Sequence, residues 1–141
     1  MGHEISWLVD KRVVYVRTYG EMTMSEMKEI SVHARKLCEE GIPFVHVISD
    51  AAEQGKVDVK LQDVLNFFRG AEVIAKTGWS VYVGKTAMER FIFTIISQFN
   101  KNNHRTFATL AEAVAFIQSV DETLPVLPMP GQAKREGRMS E

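Results

Sequence analysis

Hydrophobic residues in this chain recur at two spacings, every second residue and every third or fourth, and the two take turns along almost its whole length. Such a chain must bury one face of several strands against one stripe of several helices. That confines it to a sheet with helices packed on it. The spacing predicts strands over residues 5–10, 13–19, 44–48, 79–83 and 104–107. The first two are separated by only Lys11 and Arg12, so they must pair as an antiparallel hairpin. Helices are expected from Thr23, from about residue 59, over 86–99 and from Thr109. Crossovers through helices make the later strands parallel. The fold class is therefore α/β: a mixed, roughly five-stranded sheet with an N-terminal antiparallel hairpin, a largely parallel remainder, and about four helices mainly on one face.

Local chemistry marks the ends of these elements. Thr23 and Glu26, and again Thr109 and Glu112, have the spacing of a capping box, in which side chains satisfy backbone N–H groups at a helix start. Met27, Ile30, Ala34, Leu37 and Cys38 then recur at helical spacing. Gly41 is expected to end that helix in a left-handed conformation, and Pro43 prevents its continuation. Gly20 is expected to close the second strand. Residues 49–56 read as the longest polar loop in the body of the chain. Gly70 breaks the second helix, residues 71–75 add a turn, and residues 100–103 form a polar break. The domain spans residues 1–124. Pro125, Pro128, Pro130, Gly131 and Gly137 mark residues 125–141 as a tail that is extended unless it docks.

Composition excludes several classes of function. The net charge is −1 over 141 residues, so no basic field gathers nucleic acid or an anionic membrane. No apolar run approaches the roughly 20 residues of a spanning helix. The single Cys38 excludes an intramolecular disulfide, reads as a small buried hydrophobe, and agrees with a cytoplasmic location. His3, His33, His46 and His104 show no metal-ligand spacing, so no metal or cofactor is expected. Gly84-Lys85-Thr86 is not a phosphate loop, because the five residues after Gly78 are a strand and leave nothing to wrap a phosphate. No nucleophile elbow or activated serine is present, and no catalytic residue is assigned.

The remaining candidates belong to binding. Asp50 sits at the end of a strand before a helix, where open α/β sheets place ligands. Asp58 and Lys60 flank the next helix start, and Lys85 with Thr86 could hold an anion at another. Met88, Phe91, Ile92, Ile95, Ile96 and Phe99 fill an inward stripe of the third helix. Phe93 lies about 100° from Ile92, outside that stripe. Phe67 and Phe68 raise the same difficulty in the second helix. Phe93 and Phe67 are thus the expected self-association surface.

The hairpin, the alternating helices and strands, and the last strand with its capped helix resemble the STAS fold, the family of anti-sigma-factor antagonists and sulfate-transporter C-terminal domains. The small stand-alone bacterial members are the nearest in kind. The resemblance is carried by Trp7-Leu8-Val9-Asp10 leading to 13–17, by Val47-Ile48-Ser49-Asp50, by Gly78 through Gly84, and by 105–113, where a strand ending in Phe107 precedes a capped, alanine-containing helix. It implies a non-catalytic regulatory or protein-interaction domain with an unidentified protein partner, and the Phe93 and Phe67 surface adds the expectation of a homodimer. Switch-type antagonists carry a phosphorylated serine near the second helix start. The matching stretch here, 55–60, has no Ser or Thr, which argues against such a switch. Related folds bind nucleotides or lipids, so the alternative expectation is a carrier or sensor of a small apolar or anionic ligand beneath the second and third helices.

Overall fold

The computed structural model describes residues 2–69, 76–100 and 103–130. Five strands form one sheet in the order β1-β2-β3-β4-β5. These are β1 (Gly2–Val9), β2 (Val13–Thr23), β3 (Val45–Asp58), β4 (Thr77–Val83) and β5 (Asn103–Phe107), interleaved with α1 (Met24–Glu40), α2 (Leu61–Arg69), α3 (Ala87–Asn100) and α4 (Leu110–Val120). β1 and β2 are antiparallel, and every other neighbouring pair is parallel. The expected α/β architecture is the one observed. The break expected at Gly70, the turn expected over 71–75, residues 101–102 of the polar break, and the tail beyond residue 130 lie outside the described residues.

The largest departure from the sequence reading concerns the polar stretch after Ile48. It is not a loop. β3 runs on through it to Asp58, and β2 runs past Gly20 to Thr23 alongside it. Polarity misled here because strands at an exposed ribbon need no apolar residues, only a partner for their backbone groups. Gly20, at φ 72°, lets β2 bend at the irregularity between Gly20 and Met22 without ending. The β3–β4 pairing stops at Asp50↔Val83, so the two longer strands overhang the sheet as a two-stranded ribbon.

α1 and α2 both spring from the ribbon tip. The Thr23 hydroxyl accepts the Glu26 N–H at 3.2 Å, as a helix cap should. Glu26 does not return the bond to Thr23; its carboxylate meets His3 Nδ1 at 2.7 Å. Gly41 ends α1 with φ −80° and ψ 178°, extended rather than left-handed. A glycine is needed there for space, since a Cβ would lie 2.4 Å from Val45 Cγ2. At the other capping box the Thr109 hydroxyl accepts from the Glu112 N–H and donates to its carboxylate.

The two sheet faces are packed differently. One carries Val13, Tyr15, Ile48, Val81 and Val83 beneath α4, whose Ala113 and Ile117 are fully buried. Burying each such aliphatic side chain contributes about 1.5–3 kcal/mol. Leu124 and Leu127 complete this core, and the Leu127 N–H donates to Gln118 Oε1, so the start of the proline-rich tail docks on α4. The other face carries Val14, Val16 and Val45 against Cys38, Ile30 and Ala34 of α1. No helix of the described residues is long and apolar enough to cross a membrane.

His46 and Asp121 lock the end of α4 to the sheet. The Trp79 N–H donates to His46 Nδ1 at 2.9 Å, so the ring proton sits on Nε2 and is donated to Asp121 at 2.8 Å. Arg12 donates to the same carboxylate at 2.9 Å. Burial raises the Asp121 pKa, but hydrogen bonds from His46 and Thr123 outweigh it and hold the carboxyl at about 2. A depressed carboxyl stabilises the fold above its unfolded pKa, about 3.9, and that contribution is lost as pH falls through 2. Asp121→Ala is expected to cost about 1.5–3 kcal/mol at pH 7. Urea unfolding of both proteins should show the difference at pH 7 and its disappearance near pH 2.

Candidate functional site

Small side chains on the second sheet face leave space unfilled. Ser49, Ala51 and Ser80 point from the sheet, and Ser31, Ala34 and Ser97 face them from α1 and α3. The result is a cavity of about 270 Å³ between β2, β3 and β4 below and α1, α2 and α3 above. Its apolar wall comes from Val16, Met27, Val47, Phe68, Ile92 and Phe93. Phe93 stacks on Tyr82 with ring centroids 4.9 Å apart and planes 17° apart. A second hollow of about 380 Å³ borders the first, sharing Val57, Val59, Glu89 and Ile92 and reaching Lys56 and Leu61.

A polar row crosses the cavity floor. The Thr18 hydroxyl donates to Gln54 Oε1 at 3.0 Å, and the Gln54 side chain also hydrogen-bonds Tyr82. Burial raises the Tyr82 phenol above its ordinary pKa, and the charge of Glu89 adds to the effect. Glu89 lies in the first turn of α3 and lines both hollows. Among the described residues, its Oε2 is the buried side-chain polar atom without a hydrogen-bond partner. Cys38 lines the cavity as a thiol whose pKa is raised by burial.

The residues singled out from the sequence are dispersed. Asp50 is on the opposite face, where its carboxylate accepts the Tyr15 hydroxyl at 2.6 Å and the Ala52 N–H at 3.1 Å. Burial, reinforced by Asp50, raises the Tyr15 phenol pKa. Asp58 pairs in register with Thr23 at the ribbon tip, eight residues and about 26 Å along the strand from Asp50. The Lys60 carbonyl accepts the Val64 N–H and so opens α2. Lys85 is exposed beside Thr86, whose hydroxyl caps α3 by accepting the Glu89 N–H at 3.2 Å. Phe67 packs edge-on against Phe68 and lies under Lys28 Nζ.

α3 is turned relative to the stripe read from its sequence. Phe93 faces inward, whereas Met88 and Phe91 are 67% and 57% exposed. Helical spacing located a stripe but not its centre, because eight of the fourteen residues are apolar or aromatic. Glu89, Gln54 and Tyr82 were not singled out at all. Their signal was weak: one acid next to a helix cap, one amide in an apparent loop, and one tyrosine in a strand. His3, Glu26 and Glu29 also bring donor atoms within 4.8 Å of one another, a grouping that no local spacing could display.

This is the sheet order and helix arrangement of a STAS-like domain. Solved structures that share it include two proteins. One is an uncharacterised protein of the DUF3478 family with a SpoIIAA-like fold from Shewanella loihica PV-4, 12% identical, TM-score 0.53, covering 82% of this chain and 91% of that one. The other is the anti-sigma factor antagonist SpoIIAA in its unphosphorylated form, 17% identical, TM-score 0.54, covering 85% of this chain and 99% of that one. No family model and no curated protein sequence matches the chain. At these identities the likeness establishes the fold.

The placement of Asp50 makes a testable distinction. Tyr15→Phe leaves a buried carboxylate with one partner fewer and is expected to destabilise the fold by about 1–3 kcal/mol. It should leave the cavity side unchanged. Denaturant unfolding, together with amide chemical shifts of Ala34 and Ser97, checks both parts.

Proposed function

We propose that this protein is a STAS-like binding domain that carries or senses a small apolar molecule held between the sheet and α1–α3. The observation that supports this is the cavity of about 270 Å³, lined by small and apolar side chains in a domain whose other face is a cluster of buried hydrophobic residues. At about 30 Å³ per water-sized group, it suits a ligand of roughly nine non-hydrogen atoms. Binding rather than catalysis is its role, and the likeness to an anti-sigma factor antagonist supports a regulatory use of the bound state.

The test is an amide NMR titration of the purified protein with octane. Shifts are expected at Ala34, Ser80 and Ser97. Ala34→Phe, which fills the cavity, should keep the far-ultraviolet circular dichroism and lose the shifts. A wild-type spectrum unmoved by octane would overturn the reading.

A second reading, self-association, is favoured by the exposure of Met88 and Phe91 on the outer side of α3. Phe91→Glu is then expected to turn a sedimenting dimer into a folded monomer. Wild-type protein that stays monomeric at all concentrations would remove this reading.

A further inference from the structure

Resting on the cavity reading above, we infer that the ligand is amphipathic and carries a hydrogen-bond-donating head, an ammonium or hydroxyl, which Glu89 receives. A buried acceptor without a partner costs about 1–3 kcal/mol, more when charged. Such a group persists in a fold where something satisfies it or where it serves a function. Glu89 Oε2 is in this position among the described residues, and Glu89 lines the cavity itself. Four other polar side chains nearby are engaged. Thr18, Gln54 and Tyr82 are joined to one another, and the Thr86 hydroxyl is taken by the Glu89 N–H.

The location of Glu89 sets the ligand's orientation. It borders both the inner cavity and the outer hollow, through walls shared with Val57, Val59 and Ile92. A chain lying along Val16, Val47 and Phe93 would place its head at this border, next to the acid. The O–H of an alcohol head or the N–H groups of an ammonium head cannot be met by apolar walls, so the head belongs where the acceptor is. Arg35 lines the same cavity from α1 and would be the partner of an anionic head instead. The two head types therefore make opposite demands on Glu89, and charge separates them.

The experiment is calorimetric titration of wild-type protein at pH 7 with octylamine, 1-octanol, octane and octanoate. Octylamine and octanol are expected to bind at least tenfold more tightly than octane, and octanoate more weakly than octylamine. In Glu89→Gln the octylamine affinity should fall about tenfold. In Glu89→Leu, which removes the orphaned oxygen, thermal stability should hold or rise, octane binding should persist, and the octylamine advantage should vanish. Octane binding with no advantage for octylamine, or equal octylamine affinity in Glu89→Leu, overturns this inference and leaves the apolar cavity standing. Failure of octane and every octyl ligand to bind overturns the cavity reading itself.

Discussion

The pairing of β2 with β3 governs the rest of the molecule. It is parallel, it begins in the centre of the sheet at Val13↔His46, and it continues to Thr23↔Asp58 after β4 has ended. Parallel strands need a long connection, and here that connection is α1. With 17 residues at about 1.5 Å each, α1 spans about 25 Å, enough to return from the ribbon tip along the sheet. α2 starts from the same tip, and its described residues Leu61–Arg69 span about 13 Å. The cavity lies where these two helices and α3 face the sheet.

The division of labour between faces follows. The face under α4 is filled by Val13, Ile48, Val81 and Val83, locked at its margin by His46, Asp121 and Arg12. That face carries the polar pair Tyr15 and Asp50 only because each satisfies the other. The opposite face carries serines and alanines where a stability-driven core would place leucines.

Most of the fold was legible in the sequence because periodicity and caps are local. The hairpin about Lys11 and Arg12, the cap at Thr23 and the cap at Thr109 each need only neighbouring residues to be seen. The candidate site was less legible for the opposite reason. Extending β3 through residues 51–58 depends on a partner strand some 35 residues earlier, and no pattern within the stretch announces it. Nor could spacing decide that Asp50 and Ser49, adjacent in sequence, face α4 and the cavity respectively. That follows from the parity of one strand in its final register, and a one-residue shift would exchange them. The inward turn of Phe93 depends in the same way on Tyr82 of another element.

Two departures from a stability-optimised core coincide in space. Small residues withhold packing from the cavity, and Glu89 leaves an acceptor unsatisfied at its border. Either alone could be a tolerated imperfection, since single unsatisfied groups and single voids occur in many domains. Together they are complementary, because the volume calls for an apolar body and the oxygen calls for a donor. One amphipathic molecule answers both, whereas water answers only the oxygen and a flush helix only the volume. The polar row of Thr18, Gln54 and Tyr82 limits the alternatives further. Its members are joined to one another, whereas Glu89 Oε2 has no hydrogen-bond partner among the described residues and so fixes the head.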